Sequence, residues 1–341
     1  MSASWRQAAL LASALVGSAA CSSVSGLRQA ELPEERVAVL YRSESAASKR
    51  AGAMKDLEER QQGGGGEGLV RLEDLDALFG GTPDATKRVG EPGHLALLDP
   101  RSGRAAEVEN APPGARPLAW SPDRRQLLVA GRWRDGMQLF TWDPASGSQE
   151  ILTSGPREHP QGCFAADGRL VALEIESSGG KQTARLAAAP KGGTGLRPIS
   201  SGPADAQPAC SPTEALIASV TIGADGSPTI LVRDLDASDS NPHPIGRGFN
   251  PRFTPDGKWI VYAAKTQQGK RLFRVRPDGS GRTALAVSTQ DESEPAVSPD
   301  GRYVAYVVEE DHRERLWVRR FDGTGGGRPL LGDGDAVSPA W

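Results

Sequence analysis

The chain has 341 residues, of which 41 are Gly and 26 are Pro, and its aromatic fraction is 5%. That mixture suits many short strands joined by tight turns and excludes a bundle of long helices. A net charge of −3 supplies no bulk basic field to recruit nucleic acid, and three cysteines are too few for a disulfide-stapled scaffold.

At the N-terminus Arg6 precedes an apolar run over 8–20. The run is shorter than the about 20 residues a bilayer span needs and has the form of a signal-peptide core, so 1–20 is predicted to be a signal peptide and 21–35 a tether. Gly17-Ser-Ala-Ala-Cys21 resembles a bacterial lipobox, with Ser18 in the place usually held by Leu. The resemblance implies that Cys21 is lipidated and becomes the first mature residue, held by several acyl chains because one alone is marginal. The alternative is ordinary cleavage after Ala20, which leaves a free thiol. Ser22 in place of Asp resembles the outer-membrane sorting pattern. The expected location is therefore the periplasmic side of a bacterial outer membrane, the alternative being a soluble periplasmic or secreted protein.

Next comes Arg36-Val-Ala-Val-Leu-Tyr41, a predicted strand, and then an insertion over 43–93. The insertion contains the flexible run Gly63-Gly-Gly-Gly66. Beyond it Leu69, Leu72, Leu75 and Phe79 share one face of a predicted helix that Gly80-Gly81 would stop. A loop this long is usually functional or disordered: either a flap or docking helix, or a poorly ordered excursion resting on the domain.

From there an internal repeat governs the chain. Pro117-Leu-Ala-Trp-Ser-Pro-Asp123, Gly162-Cys-Phe-Ala-Ala-Asp-Gly168, Pro208-Ala-Cys-Ser-Pro212, Pro251-Arg-Phe-Thr-Pro-Asp-Gly257 and Pro295-Ala-Val-Ser-Pro-Asp-Gly301 recur at spacings of 44, 46, 43 and 44. A period in the low forties is what four short strands and their turns require. In each unit strand A ends in an aromatic or apolar residue. Ser/Thr-Pro-Asp-Gly then turns the chain, with Pro setting φ and Gly accepting a positive φ. Strands B, C and D follow with alternating apolar and polar residues. Ser338-Pro-Ala-Trp341 lies 44 residues after Glu294-Pro-Ala-Val297 and supplies the strand A that the first unit lacks.

The predicted fold is therefore all-β: a six-bladed β-propeller over 36–341, closed by N- and C-terminal strands within blade one. Blade one comprises 36–109 plus 336–341. Blades two to six run over about 115–155, 158–202, 205–248, 249–290 and 291–334. The Ser-Pro-Asp-Gly-Lys/Arg unit followed by an aromatic-rich strand resembles the repeat of TolB-like propellers. That resemblance implies the same ring; its motifs are specific for the fold and weak for function.

Topology puts B–C loops and D–A connections on one face of the ring. The insertion thus shares its face with an acidic sector, Asp291, Glu292, Glu294, Glu309 and Glu310. These five, with Leu72, Leu75 and Phe79, are the expected partner-binding residues. Catalytic signatures are not found: there is no Gly-x-Ser-x-Gly elbow, His-Glu-x-x-His helix, Cys-x-x-Cys pair or phosphate loop. Gly63, Gly65 and Gly68 match Gly-x-Gly-x-x-Gly, but no strand feeds them. The four histidines lie on different blades, so no catalytic residue, metal or cofactor is expected. Cys163 and Cys210 sit on inner strands of neighbouring blades at offsets differing by one, which points them to opposite faces; both are expected to be buried free thiols, with a disulfide as the alternative. The expected function is a non-catalytic envelope lipoprotein serving as a protein-interaction platform, bound to the membrane through its lipid and not to nucleic acid. The alternative is a propeller enzyme or carbohydrate-binding protein that uses the central pore, which leaves a small-molecule ligand open.

Overall fold

A computed structural model describes residues 26–62 and 93–341, apart from positions 113, 135, 179–180, 194, 202–203, 224 and 238–241. The described strands form six four-stranded antiparallel sheets, one per blade. Blade one orders its strands A to D as Asp335–Ala340, Val37–Arg42, His94–Asp99 and Arg104–Glu107. Strand A of blades two to six is Arg116–Trp120, Gly162–Phe164, Asp205–Cys210, Phe249–Phe253 and Asp291–Val297. Strands B and C of blade six are Tyr303–Glu310 and Arg313–Arg320.

The repeated turn works as its residues imply. In blade six the Ser298 hydroxyl donates to Asp300 (2.6 Å) and accepts from the Tyr303 amide (2.9 Å), while Ser298 and Tyr303 also pair through Ser298 N and Tyr303 O (2.9 Å). Gly301 sits at φ 70°, a conformation that favours residues without a Cβ. Blade three closes one residue earlier, with Ala165 N on Arg169 O, where the other turns span five residues, as in Thr254 N to Trp259 O.

The ring closes as the 44-residue match predicts. Ala38, Leu40, Tyr41 and Arg42 pair with Ala340, Val337, Ala336 and Asp335. Trp341 is 6% exposed and its indole N–H reaches Glu35 O at 3.0 Å. The core is a series of layers between blades. One holds Val37, Val39 and Leu98 of blade one against Tyr303, Leu316 and Val318 of blade six. The N-terminal segment expected to be a tether joins this layer from Leu27 onward, with Leu27 and Leu32 buried in it. Tyr303 donates to Glu31 O (2.9 Å), and Arg320 pairs with the Glu31 carboxylate (2.6 Å).

Cys163 and Cys210 correct one expectation: they are disulfide-bonded, with Cα atoms 5.7 Å apart. The one-residue offset does point them to opposite faces of their own sheets. In a propeller, however, the forward face of one blade packs on the rear face of the next, so opposite faces of neighbouring blades meet. Both cysteines lie in the layer between blades three and four, beside Val171 and Ile217.

The insertion begins with a helix, α1, over Glu44–Gln62. Ser43 caps it, its carbonyl accepting from Ala47 N (2.8 Å) and its hydroxyl from Ala46 N (3.4 Å). Sequence periodicity does not reveal α1, because Ser48-Lys-Arg-Ala-Gly-Ala-Met-Lys-Asp56 has good helix formers but no continuous apolar stripe. The helix expected over 69–79, with Leu72, Leu75 and Phe79, lies outside the described residues.

Candidate binding face at the blade six and blade one seam

The acidic sector divides when its side chains are followed. Asp291 and Glu309 face each other across strands A and B, a like-charge pairing that is unfavourable alone. Lys270 of blade five relieves it: its ammonium reaches Glu309 at 2.8 Å and its backbone N–H donates to Asp291 at 2.9 Å. Burial works against the Lys270 charge, but Glu309 and Asp291 outweigh that cost and hold its pKa above the usual lysine value. Glu310 stands exposed one residue on.

Glu292 and Glu294 leave the face, which corrects the expected site. Successive strand residues point to opposite sides, so Glu292 turns into the layer between blades five and six and is 1% exposed. There it pairs with Arg319, which also donates to the Tyr306 hydroxyl at 2.7 Å. Glu294 occupies a bulge at φ 48° and turns to the ring axis, where its carboxylate accepts the Ser338 N–H at 2.5 Å. Asp291 and Glu309 stay on this face bridged by Lys270, and Glu310 stands exposed beside them.

Beside them a network that sequence reasoning missed fastens α1 to the ring. Arg313 holds both Glu44 carboxylate oxygens at 2.9 Å and reaches Asp335, which is 0% exposed, at 2.8 Å. The fork geometry of guanidinium matches two carboxylate oxygens and fixes orientation as well as charge. Gly334 N adds a bond to Glu44 at 3.0 Å. The next residue, Glu314, binds Arg42 of blade one at 3.1 Å and Arg50 of α1 at 2.8 Å. Burial pushes the Glu314 carboxyl up against the pull of Arg50 and Arg42. No local signal reveals these contacts, since Glu44 and Arg313 are 269 positions apart.

The central channel takes residues from all six blades, including Pro117, Gln161, Gln207, Asn250, Glu294 and Ser338, and its free volume is about 60 Å³. A wider groove of 660 Å³ runs between blades two and three over His159 and Glu174, with Glu174 paired to Arg185. Among the described residues no group of three or more His, Cys, Asp or Glu is arranged to hold a metal ion.

No protein-family model matches the chain, and no curated protein does. Solved structures do. TolB from Acinetobacter baumannii superposes with a TM-score of 0.63 at 16% identity, over 90% of this chain and 66% of that one. A putative TolB from Agrobacterium tumefaciens gives 0.58 at 22% identity, over 69% and 87%. An oligogalacturonate lyase in complex with manganese gives 0.50 at 15% identity, over 70% of each chain. The fold is a TolB-like six-bladed β-propeller. Enzymes and non-enzymes share this ring, so the fold by itself selects no chemistry.

In this TolB-like propeller the α1 latch has a defined acid limit. The hydrogen bond from Arg313, then that from Gly334 N–H, lower the Glu44 carboxyl from its ordinary 4.5 to about 2. A carboxyl depressed in the folded state stabilises above its unfolded pKa and loses that contribution as pH falls through its folded pKa. The latch should therefore be complete at neutral pH and weaken between pH 4.5 and about 2. The Glu44 side chain is 53% exposed, so solvent screening keeps the effect modest. Amide exchange protection at Ala47 should fall across that window in the wild type. In Glu44→Gln it should be weak at every pH; equal protection in the two proteins at pH 7 would remove the latch.

Proposed function

We propose that this chain is an extracytoplasmic protein-interaction platform that binds an envelope protein through the blade six and blade one seam. The observation that carries the reading is α1, pinned at its first turn by Arg313 beside the exposed carboxylates of Glu309 and Glu310 and the half-buried Asp291. Nineteen residues of helix extend about 28 Å, and a rigid ring offering an anchored helix beside a charged rim suits recognition.

Two further features support the reading. The Cys163–Cys210 disulfide belongs to an oxidising compartment such as the periplasm. The segment from Leu27 runs along the face of A–B and C–D turns, where Arg101 of the blade-one turn binds Leu32 O at 2.8 Å. A lipid on Cys21 is five residues from Gly26, at most about 18 Å of chain. It would hold that face toward the bilayer and leave the α1 face outward. Among the described residues no helix is long and apolar enough to cross a membrane.

The test is affinity capture from detergent-solubilised envelopes with the full chain and with a variant carrying Asp291→Lys, Glu309→Lys and Glu310→Lys. One stoichiometric protein partner is expected, bound about tenfold more weakly by the variant, or about 1.4 kcal/mol. Equal capture by both proteins would sink the proposed face. Glycan retention with no protein partner would favour the pore reading.

A further inference from the structure

We infer that the groove between blades two and three binds a neutral mono- or disaccharide, with His159 Nε2 and Glu174 Oε2 accepting hydrogen bonds from two neighbouring sugar hydroxyls. The groove and the α1 seam lie on different blades, so this site stands apart from the protein-platform reading and goes beyond it.

The hydrogen bonds at the groove floor fix each proton in turn. Thr153 Oγ1 accepts from Leu139 N at 2.9 Å and gives its own proton to Gln138 Oε1 at 2.7 Å. Gln138 Nε2 donates to Arg157 O at 2.8 Å, so the amide carbonyl is the end that faces His159. His159 Nδ1, 3.0 Å from that carbonyl, therefore carries the hydrogen. Burial lowers the His159 pKa against the pull of Glu174, which keeps the ring neutral at pH 7. Nε2 then presents a lone pair.

That lone pair faces Glu174 Oε2 at 3.8 Å, acceptor against acceptor and beyond hydrogen-bond reach. Oε1 of the same carboxylate is taken by Arg185, at 2.7 and 2.5 Å. Among the described residues neither Nε2 nor Oε2 has a hydrogen-bond donor, although His159 is 4% exposed and Glu174 5%. An unmet buried acceptor costs free energy. Both residues line the groove, which is the side from which a donor can reach them.

The chain's own repeats serve as the control. The bridge from Glu158 to Ile175 sets His159 opposite Glu174 across strands A and B. At that position the sister blades set Ala336 against Tyr41, Asp205 against Thr221 and Glu292 against Val308. Blades two and five have only Ala115, Gly131, Gly248 and Ala264 there. Blade three alone sets two side chains that can only accept against each other, and building the ring does not require it.

The ligand follows from the donors these atoms lack. Arg185 and Arg157 already answer the Glu174 charge, so the site calls for a neutral donor rather than a cation. One hydroxyl has one proton and satisfies one acceptor, so two are needed side by side. Adjacent hydroxyls on a ring with apolar faces describe a sugar. Leu152, Phe164, Leu170 and Leu196, all half-buried, give such a ring an apolar wall. The groove volume of 660 Å³ lies within the range of about 300–1,000 Å³ usual for small-molecule sites.

Two measurements on the full chain decide it. Saturation-transfer NMR with millimolar glucose, galactose, mannose or N-acetylglucosamine should show binding of at least one. Crystals soaked in that sugar should place two of its hydroxyls on Nε2 and Oε2. His159→Asn keeps an N–H for Gln138 but removes the Nε2 acceptor, and Glu174→Gln keeps the shape but brings a donor of its own. Each should melt cooperatively and bind the sugar about tenfold more weakly. The variant with Asp291→Lys, Glu309→Lys and Glu310→Lys should bind it as the wild type does, which separates this site from the seam. No transfer to any of these sugars overturns the inference, as does sugar density in the central channel or unchanged binding in both groove variants. Density at soaking concentration with no binding in solution marks an adventitious ligand only and overturns it too.

Discussion

Removing residues 336–341 should cost more stability than any point substitution in the ring. These residues supply nearly all of strand A of blade one, and without them Val37–Arg42 loses the partners of Ala38, Leu40 and Tyr41 and becomes an exposed edge. Trp341 alone is worth about 3–5 kcal/mol as a buried aromatic, and Ala336 and Val337 leave the same layer. The loss reaches blade two as well, since the Trp120 indole donates to Ala340 O and Arg124 to Trp341 O, both at 3.3 Å. Natural domains hold only about 5–15 kcal/mol in all, so the truncated protein should be largely unfolded at 37 °C or show an open, aggregating ring. Trp341→Ala is the milder arm and should lower Tm while keeping a cooperative transition. A truncated protein that melts with the wild type would show that the closure contributes nothing.

Breaking the Cys163–Cys210 bridge is the second large effect expected. The cysteines are 47 positions apart, and closing a loop of that size restricts the unfolded chain by about 4 kcal/mol on an entropic account, with about 2–4 typical. Spread over roughly 300 residues at about 2.1 cal/mol/K each, this is a fall in Tm of about 3–6 °C. The double variant Cys163→Ala, Cys210→Ala should show that fall with or without reductant, and the wild type only with it. A reductant that leaves wild-type Tm unchanged would mean the two sulfurs are not joined. The bridge spans the layer between blades three and four, where the blade-three strand A has only three residues, Gly162–Phe164. It reinforces the blade whose repeat is most degenerate.

These two predictions differ in how far the sequence alone leads to them. The closing strand is legible because Ser338-Pro-Ala-Trp341 repeats Glu294-Pro-Ala-Val297, and a repeat carries its own structural frame. The disulfide is legible as far as the parity of the two cysteines. The final step, that opposite faces of adjacent blades meet, is a property of the stacked ring. The acidic sector fails for a related reason. Asp291, Glu292 and Glu294 are neighbours in sequence, yet strand alternation buries Glu292 against Arg319 and a bulge turns Glu294 into the channel.

The sequence by itself determined the six blades, their turns and their closure, because each rests on local patterns repeated every 43 to 46 residues. Local chemistry sufficed there: Pro and Gly at fixed offsets, alternation along strands, and a missing strand matched to a spare one. Tertiary structure alone decided which charges are surface and which are structural, where α1 is fastened, and how Leu27 and Leu32 enter the core. Those outcomes depend on pairs such as Glu44 with Arg313, 269 positions apart, and no local pattern encodes such a meeting. It arises because closure brings the first and last blades side by side, so contacts at their seam are fixed only when the ring is complete.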